Sequence, residues 1–180
     1  VLQAVNGIQH GVLIRNGFEI YSWGNASQRL DWASCNRTWV DKLWGRWISA
    51  NGLAWLDRDA SELPCAAAHD LPNPGAKVKH VLSYTSLPPI GEVWRYSSGD
   101  WWPWQARELS ELFETANVGA AWAMQLQPWL GGSTFQAGVN SEDGTLRVKA
   151  SCRDNARLGA VILNGGLGVH GQRLIDAAYV

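Results

Sequence analysis

Charge is scarce in this chain. Only 17% of its 180 residues are charged, and 15 basic side chains against 16 acidic ones leave a formal net charge of −1. No basic surplus is available to neutralise phosphates, which argues against a nucleic-acid partner. Long apolar runs are missing too. None approaches the roughly 18 residues of a membrane-crossing helix, so no membrane span is expected. Cys35, Cys65 and Cys152 are too few and too unevenly spaced for a disulfide framework or a zinc site, and their odd count leaves at least one thiol unpaired within the chain. That thiol leans against an oxidising compartment. His10, His69, His80 and His170 are scattered without ligand spacing, so no metal is expected, and no organic cofactor is suggested either. There is no signal-peptide pattern, internal repeat or low-complexity tract. The first residue is Val1 rather than Met, as in a processed, trimmed or partial chain. The length suits one domain over residues 1–180.

Against these shortages stand 12 tryptophans and a hydrophobic content of 46%. Tryptophan packs cores, lines clefts and forms sugar-stacking platforms, so the surplus alone does not choose among them. Residues 31–52, D-W-A-S-C-N-R-T-W-V-D-K-L-W-G-R-W-I-S-A-N-G, organise the rest. Trp39, Leu43 and Trp47 recur at i, i+4 and i+8, with Val40, Trp44 and Ile48 beside them, which makes a broad apolar stripe on a helix. Asn51-Gly52 tolerates the left-handed conformation at which helices end. Ser34 then falls at, or one turn before, the start of a buried helix, where backbone N–H groups favour developing negative charge. Two readings fit it. It is a helix N-cap, or it is a nucleophile where the fold brings a base to its hydroxyl. Cys35 reads as a small buried hydrophobe.

The remaining segments alternate short elements and loops. Residues 9–23 read as a hairpin closed by Asn16-Gly17. Residues 24–30 are a polar connection, and residues 53–75 hold a turn and Pro-rich loops. A short helix over 78–83 packs Val81 and Leu82 inward, and the prolines of 85–92 make a loop. From Asp100 the pattern is helical, with Pro103 in the first turn and Leu109, Leu112 and Phe113 as the stripe. A second short helix covers 116–123, weak strand content lies within 131–144, and residues 146–150 alternate. Ser151 caps a helix to Leu163, with Asp154 in the Glu position of a capping box. Asn164-Gly165-Gly166 stops that helix, and a further helical run is expected over 173–180. Trp101, Trp102 and Trp104 cluster too tightly for one helix face, so some of them face a cleft, a partner or solvent.

In this order, four blocks resemble the penicillin-recognising serine hydrolases, the group of class C β-lactamases, DD-peptidases and related esterases and amidases. The hairpin H-G-V-L-I-R-N-G-F-E-I-Y-S-W-G (10–24) is similar to the family's opening strand pair. S-C-N-R (34–37) stands where the family has S-x-x-K. H-V-L-S-Y-T-S-L-P (80–88) followed by W-R-Y-S-S-G (94–99) resembles the segment that carries Y-x-N. A-S-C-R-D-N-A-R-L-G-A-V-I-L-N-G-G (150–166), continued by G-Q-R-L-I (171–175), looks like a helix common in these hydrolases. Together the blocks are spread along the chain from residue 10 to residue 175.

The resemblance implies an α/β (α+β) fold in which a helical region packs on a small antiparallel sheet. The reaction it implies is acyl transfer to water from an ester, amide or β-lactam in a small acyl or peptide-like substrate. Ser34 would be the nucleophile and Tyr96 the proton-transfer residue, a role that needs a cation to depress a phenol of ordinary pKa ~10. Arg37 replaces the motif lysine; it cannot serve as a base, yet it can lower the pKa of Tyr96 or orient Ser34. Ser98 stands for the Asn of Y-x-N, and Trp94, Trp101 and Trp102 are candidates to line the substrate cleft beside it. No K-T-G or H-x-G strand is present among the 180 residues. The chain is therefore read as a fragment, as one completed by a partner chain, or as a degenerate relative acting as a binding or scaffold protein. Family relatives occupy both the bacterial cytoplasm and the periplasm. A glycan-binding platform on Trp101, Trp102, Trp104, Trp122 and Trp129 is the remaining alternative.

Overall fold

The stripe of the organising stretch is buried along its whole length. A computed structural model describes residues 9–66, 74–95, 101–130, 136–139, 145–168 and 170–180, without the side chains of residues 34 and 101–103. Helix α1 (Asn36–Asn51) buries Trp39, Val40, Leu43, Trp44 and Ile48 completely. Lys42 and Gly45 on its flanks are covered as well, so α1 is a central helix rather than a surface one. Gly52, at φ +102°, ends it and donates its N–H to the Ile48 carbonyl.

The other helices are α2 (Val78–Leu82), α3 (Trp101–Leu112), α4 (Val118–Gln125), α5 (Gln127–Leu130) and α6 (Cys152–Leu163). Tryptophan rings join two of them, and the turn after α1, to α1. Trp39 meets Trp122 of α4 edge-on at 5.4 Å, and Trp44 stacks on Trp104 of α3 at 6.4 Å. Trp47 meets Trp55 edge-on at 4.9 Å, in the 3-10 turn Leu53–Asp57. Such pairs add about 0.5–1.5 kcal/mol each to the burial of their area. Trp104 and Trp122 are therefore core residues, with at most 1% exposure. This corrects the shared-platform reading of the five tryptophans: two of them face inward.

The strands form two small antiparallel sheets. Strands β1 (Gly11–Arg15) and β2 (Phe18–Trp23) make the expected hairpin. Asn16 and Gly17 both sit at positive φ, +51° and +81°, as a tight turn matched to strand twist requires. Strands β3 (Leu30–Asp31), β5 (Leu146–Ala150) and β4 (Gln136–Val139) pair in that spatial order. In β5, Leu146, Val148 and Ala150 are buried while Arg147 and Lys149 face outward, the period-two pattern of a half-buried strand. The hairpin is fastened to α6 by Arg153, which donates to both carboxylate oxygens of Glu19 at 2.7 and 2.8 Å. Hydrogen bonding from that guanidinium holds the Glu19 carboxyl down at about 2.

Among the described residues most local expectations are met, but residues 173–180 and Cys35 depart from them. Residues 173–180 form no helix. Arg173 bridges Leu167 in antiparallel fashion, and the N–H groups of Leu174 and Ile175 both donate to the Gly166 carbonyl. Adjacent Leu174 and Ile175 are both buried, and the segment lies on α1, where Asp176 N–H donates to Ser49 Oγ at 2.6 Å. Packing against α1 overrides helical propensity there. Cys35, expected to be buried, is exposed, because it stands at the end of the turn entering α1 and not on its stripe. The capping box of α6 is present as expected, with Ser151 and Asp154 exchanging bonds.

A buried carboxylate on α3 is only partly satisfied. Glu108 of α3 is fully buried; its Oε2 accepts the Cys65 N–H at 2.8 Å, while Oε1 has no partner. Desolvation pushes its carboxyl above the ordinary range, and burial pushes the Cys65 thiol up to about 11. A carboxyl raised in the folded state stabilises the fold fully below its unfolded pKa and loses that contribution as pH rises through the folded one. Glu108→Gln keeps a carbonyl for the Cys65 N–H and removes the charge. The variant is expected to melt higher than wild type near pH 8, with the difference shrinking towards pH 4.5, in thermal melts followed by circular dichroism. Leu43→Ala is expected to cost about 2–5 kcal/mol in denaturant unfolding, because its side chain is wholly enclosed.

Candidate active site

The candidate serine lies where β3 passes into α1. The connection is a 3-10 turn, Ala33–Cys35, and Ala33 adopts φ +43°. For a residue with a Cβ, this left-handed region costs about 1–2 kcal/mol. The strain is held by named partners. Asp31 Oδ1 accepts the Ala33 N–H at 3.0 Å, and Asp31 Oδ2 accepts from Arg147 Nε of β5 at 2.8 Å. The Ala33 N–H bond above all, and then Arg147 and Lys149, hold the Asp31 carboxyl below its ordinary range despite desolvation.

Two further tethers bind this turn to β5. Trp32 donates its indole N–H to the Ala150 carbonyl at 2.8 Å. Buried Asn36 accepts the Val148 N–H on Oδ1 at 3.2 Å. The Cys35 N–H closes the turn on the Trp32 carbonyl at 2.8 Å. The N-cap position of α1 is occupied by Cys35, whose side chain makes no capping bond. Ser34 is thus not the cap residue of α1; it sits within a strained and firmly anchored turn just before it. The side chain of Ser34 lies outside the described residues.

Arg37 projects from the first turn of α1. Its guanidinium carbon lies 5.5 Å from the centroid of the Tyr84 ring, within cation–π range. Tyr84 directly follows α2 and Ser83, and it too takes a left-handed backbone, φ +58°. Its carbonyl accepts the Arg95 N–H at 3.0 Å, while Thr85 donates its N–H to His80 and Gly91 donates to Thr85, both at 2.8 Å. This network folds the loop 84–95 back on itself and ties residue 95, which precedes Tyr96, to the tyrosine beneath Arg37. Trp94 is largely exposed. Tyr96 and Ser98 lie outside the described residues. Trp101 and Trp102 open α3, with their side chains outside the description.

No protein-family model and no curated protein matches the sequence. Among solved structures, the fold is similar to that of the crystal structure named "putative beta-lactamase from Bacteroides dorei DSM 17855", with a TM-score of 0.70. The likeness is one of fold. Identity is 13%, over 94% of this chain and 61% of that one, so this chain spans about three fifths of its length. The mixed α/β architecture with small antiparallel sheets agrees with the fold class expected from sequence.

Tyr84 and Asp31 are the site neighbours that sequence reasoning missed. Tyr84-Thr85-Ser86 has the same Y-x-S spacing as Tyr96-Ser97-Ser98, a signal available in the sequence that could not say which tyrosine meets Arg37. Asp31 carries no such signal, because its role depends on Arg147, far away in the chain. Among the described residues, no group of three or more His, Cys, Asp or Glu could hold a metal ion, and no helix is long and apolar enough to cross a membrane. Asn36→Ala leaves the Val148 N–H unpaired between α1 and β5. A loss of about 1–3 kcal/mol in equilibrium unfolding is expected.

Proposed function

We propose that the chain is a serine hydrolase of the penicillin-recognising type, acting through an acyl-enzyme on Ser34. The observation that carries this reading is the anchored left-handed turn at Ala33, which sets Ser34 at the entry to the central helix in a fold similar to a beta-lactamase-named structure. Strain retained at one defined position needs surroundings that over-determine it, and such strain clusters at functional sites.

In the proposed reaction the Ser34 hydroxyl oxygen bonds to the carbonyl carbon of an ester, amide or β-lactam. Its proton passes to Tyr96 and from there to the departing oxygen or nitrogen as the acyl bond breaks. Water then attacks the acyl-enzyme and returns a proton to Ser34, releasing the acid. Arg37 takes no proton in either step, because a guanidinium stays charged. It acts as a fixed cation that favours the phenolate of Tyr96 and the developing oxyanion. Ser98 supplies one hydrogen bond to the substrate, and Trp94, Trp101 and Trp102 line the cleft for a small acyl or peptide-like ligand. No cofactor takes part.

One observation favours a second reading. The Arg37 guanidinium lies over the Tyr84 ring, an engagement suited to a cleft that binds acyl or peptide-like ligands without turning them over. Intact-mass spectrometry after incubation with a fluorophosphonate, and separately with a β-lactam, decides between the two. A single adduct in wild type and none in Ser34→Ala is expected, with ester hydrolysis lower by about 10²-fold or more in the variant. Absence of any wild-type adduct would replace the hydrolase reading with the binding one.

A further inference from the structure

We infer that Asp31 is a positioning residue for the proposed acyl transfer, holding Ala33 in its left-handed conformation so that Ser34 meets the substrate carbonyl in line. This rests on the hydrolase reading of Ser34. Three observations lead to it. Ala33 takes φ +43° although it carries a Cβ, so the conformation is imposed from outside the residue. The donor next to that strain, the Ala33 N–H, points at Asp31 Oδ1, and the second carboxylate oxygen is fixed by Arg147 at 2.8 Å. The Arg147 backbone in turn belongs to β5, whose buried face carries Val148 and Ala150 against the core. Asp31 therefore transmits the rigidity of the sheet to the residue immediately before the nucleophile.

An Asp bonded to a backbone N–H two residues on is common in turns. Two features separate this one from a plain turn. The N–H that it takes belongs to a strained residue, and its charge is also anchored by a cation on a different strand. The remaining tethers, Trp32 to Ala150 and Asn36 to Val148, flank the turn without acting on Ala33 itself. Losing Asp31 would leave the turn attached but free to relax at Ala33. A displacement of the nucleophile on the order of 1 Å is enough to cost about 10²-fold in rate.

The test measures fluorophosphonate labelling of Ser34, separated into maximal rate and half-saturating concentration, alongside circular dichroism at the assay temperature. Asp31→Ala is expected to lower the maximal labelling rate by about 10²-fold with little change in half-saturation and an unaltered folded fraction. Adding Ala33→Gly to Asp31→Ala is expected to bring the rate back to within about tenfold of wild type, because glycine accepts positive φ without strain. Asp31→Asn keeps an acceptor for the Ala33 N–H and serves if the alanine variant does not fold; its labelling is expected to stay within about tenfold of wild type. Wild-type labelling rates in Asp31→Ala overturn the inference and leave the hydrolase reading standing. So does a slow variant that glycine at position 33 does not rescue, or an Asn variant as slow as that expected for Ala. A wild-type protein that takes no label overturns both.

Discussion

The enclosure of α1 is the constraint from which the rest follows. A helix with Trp39, Val40, Leu43, Trp44 and Ile48 all out of solvent needs cover on several sides, and each such side chain is worth about 1.5–3 kcal/mol when fully buried. That cover comes from α3, α4, β5, the turn after α1 and the C-terminal segment. Gly45 shows how close the fit is: a Cβ there would lie 2.7 Å from the Tyr179 ring. Tyr179 also donates its hydroxyl to Asp41 Oδ1 of α1 at 3.0 Å. Because α1 is fixed this firmly, its N-terminus is a rigid platform, and whatever stands at its entrance inherits that rigidity.

Ion pairs then fasten the periphery to the core-bearing elements. Glu19 with Arg153 joins the hairpin to α6, and Asp31 with Arg147 joins β3 to β5. Both pairs are partly solvent-exposed, so each contributes little to global stability and is weakened by salt. Their value is geometric. The Asp31 pair shares its carboxylate with a backbone donor, which converts a weak surface attraction into a restraint on one backbone angle.

Local features were legible in the sequence where the signal and its cause lie within one element. Asn16-Gly17 closes the hairpin, the i, i+4, i+8 spacing of Trp39, Leu43 and Trp47 marks the buried stripe, and Ser151 with Asp154 caps α6. In each case the residues involved are neighbours in the chain, so propensity and pattern suffice. What was not legible depends on partners far apart. Residues 173–180 have helical spacing, yet their apolar pair is claimed by α1. Cys35 looks like core by type and is exposed by position. Asp31 and Arg147 are separated by more than a hundred residues, and Arg37 meets Tyr84 by way of the whole α1–α2 connection. The mixed α/β class with small antiparallel sheets was readable from element order, whereas the candidate site is made of those distant pairings.

Replacing a lysine by an arginine at a position like 37 alters proton logic more than charge. An ammonium on a flexible stem can lose its proton when desolvated, and so serve as a base; a guanidinium does not. What arginine adds is a planar cation able to lie over an aromatic ring, and Tyr84 provides that ring at 5.5 Å. The positive charge is thereby kept in a defined place at the start of α1, where the helix dipole adds to it. Two positive potentials converging on one turn favour an anion there. Arg37 can therefore supply charge at this turn but no base, and any proton transfer there would have to use another group.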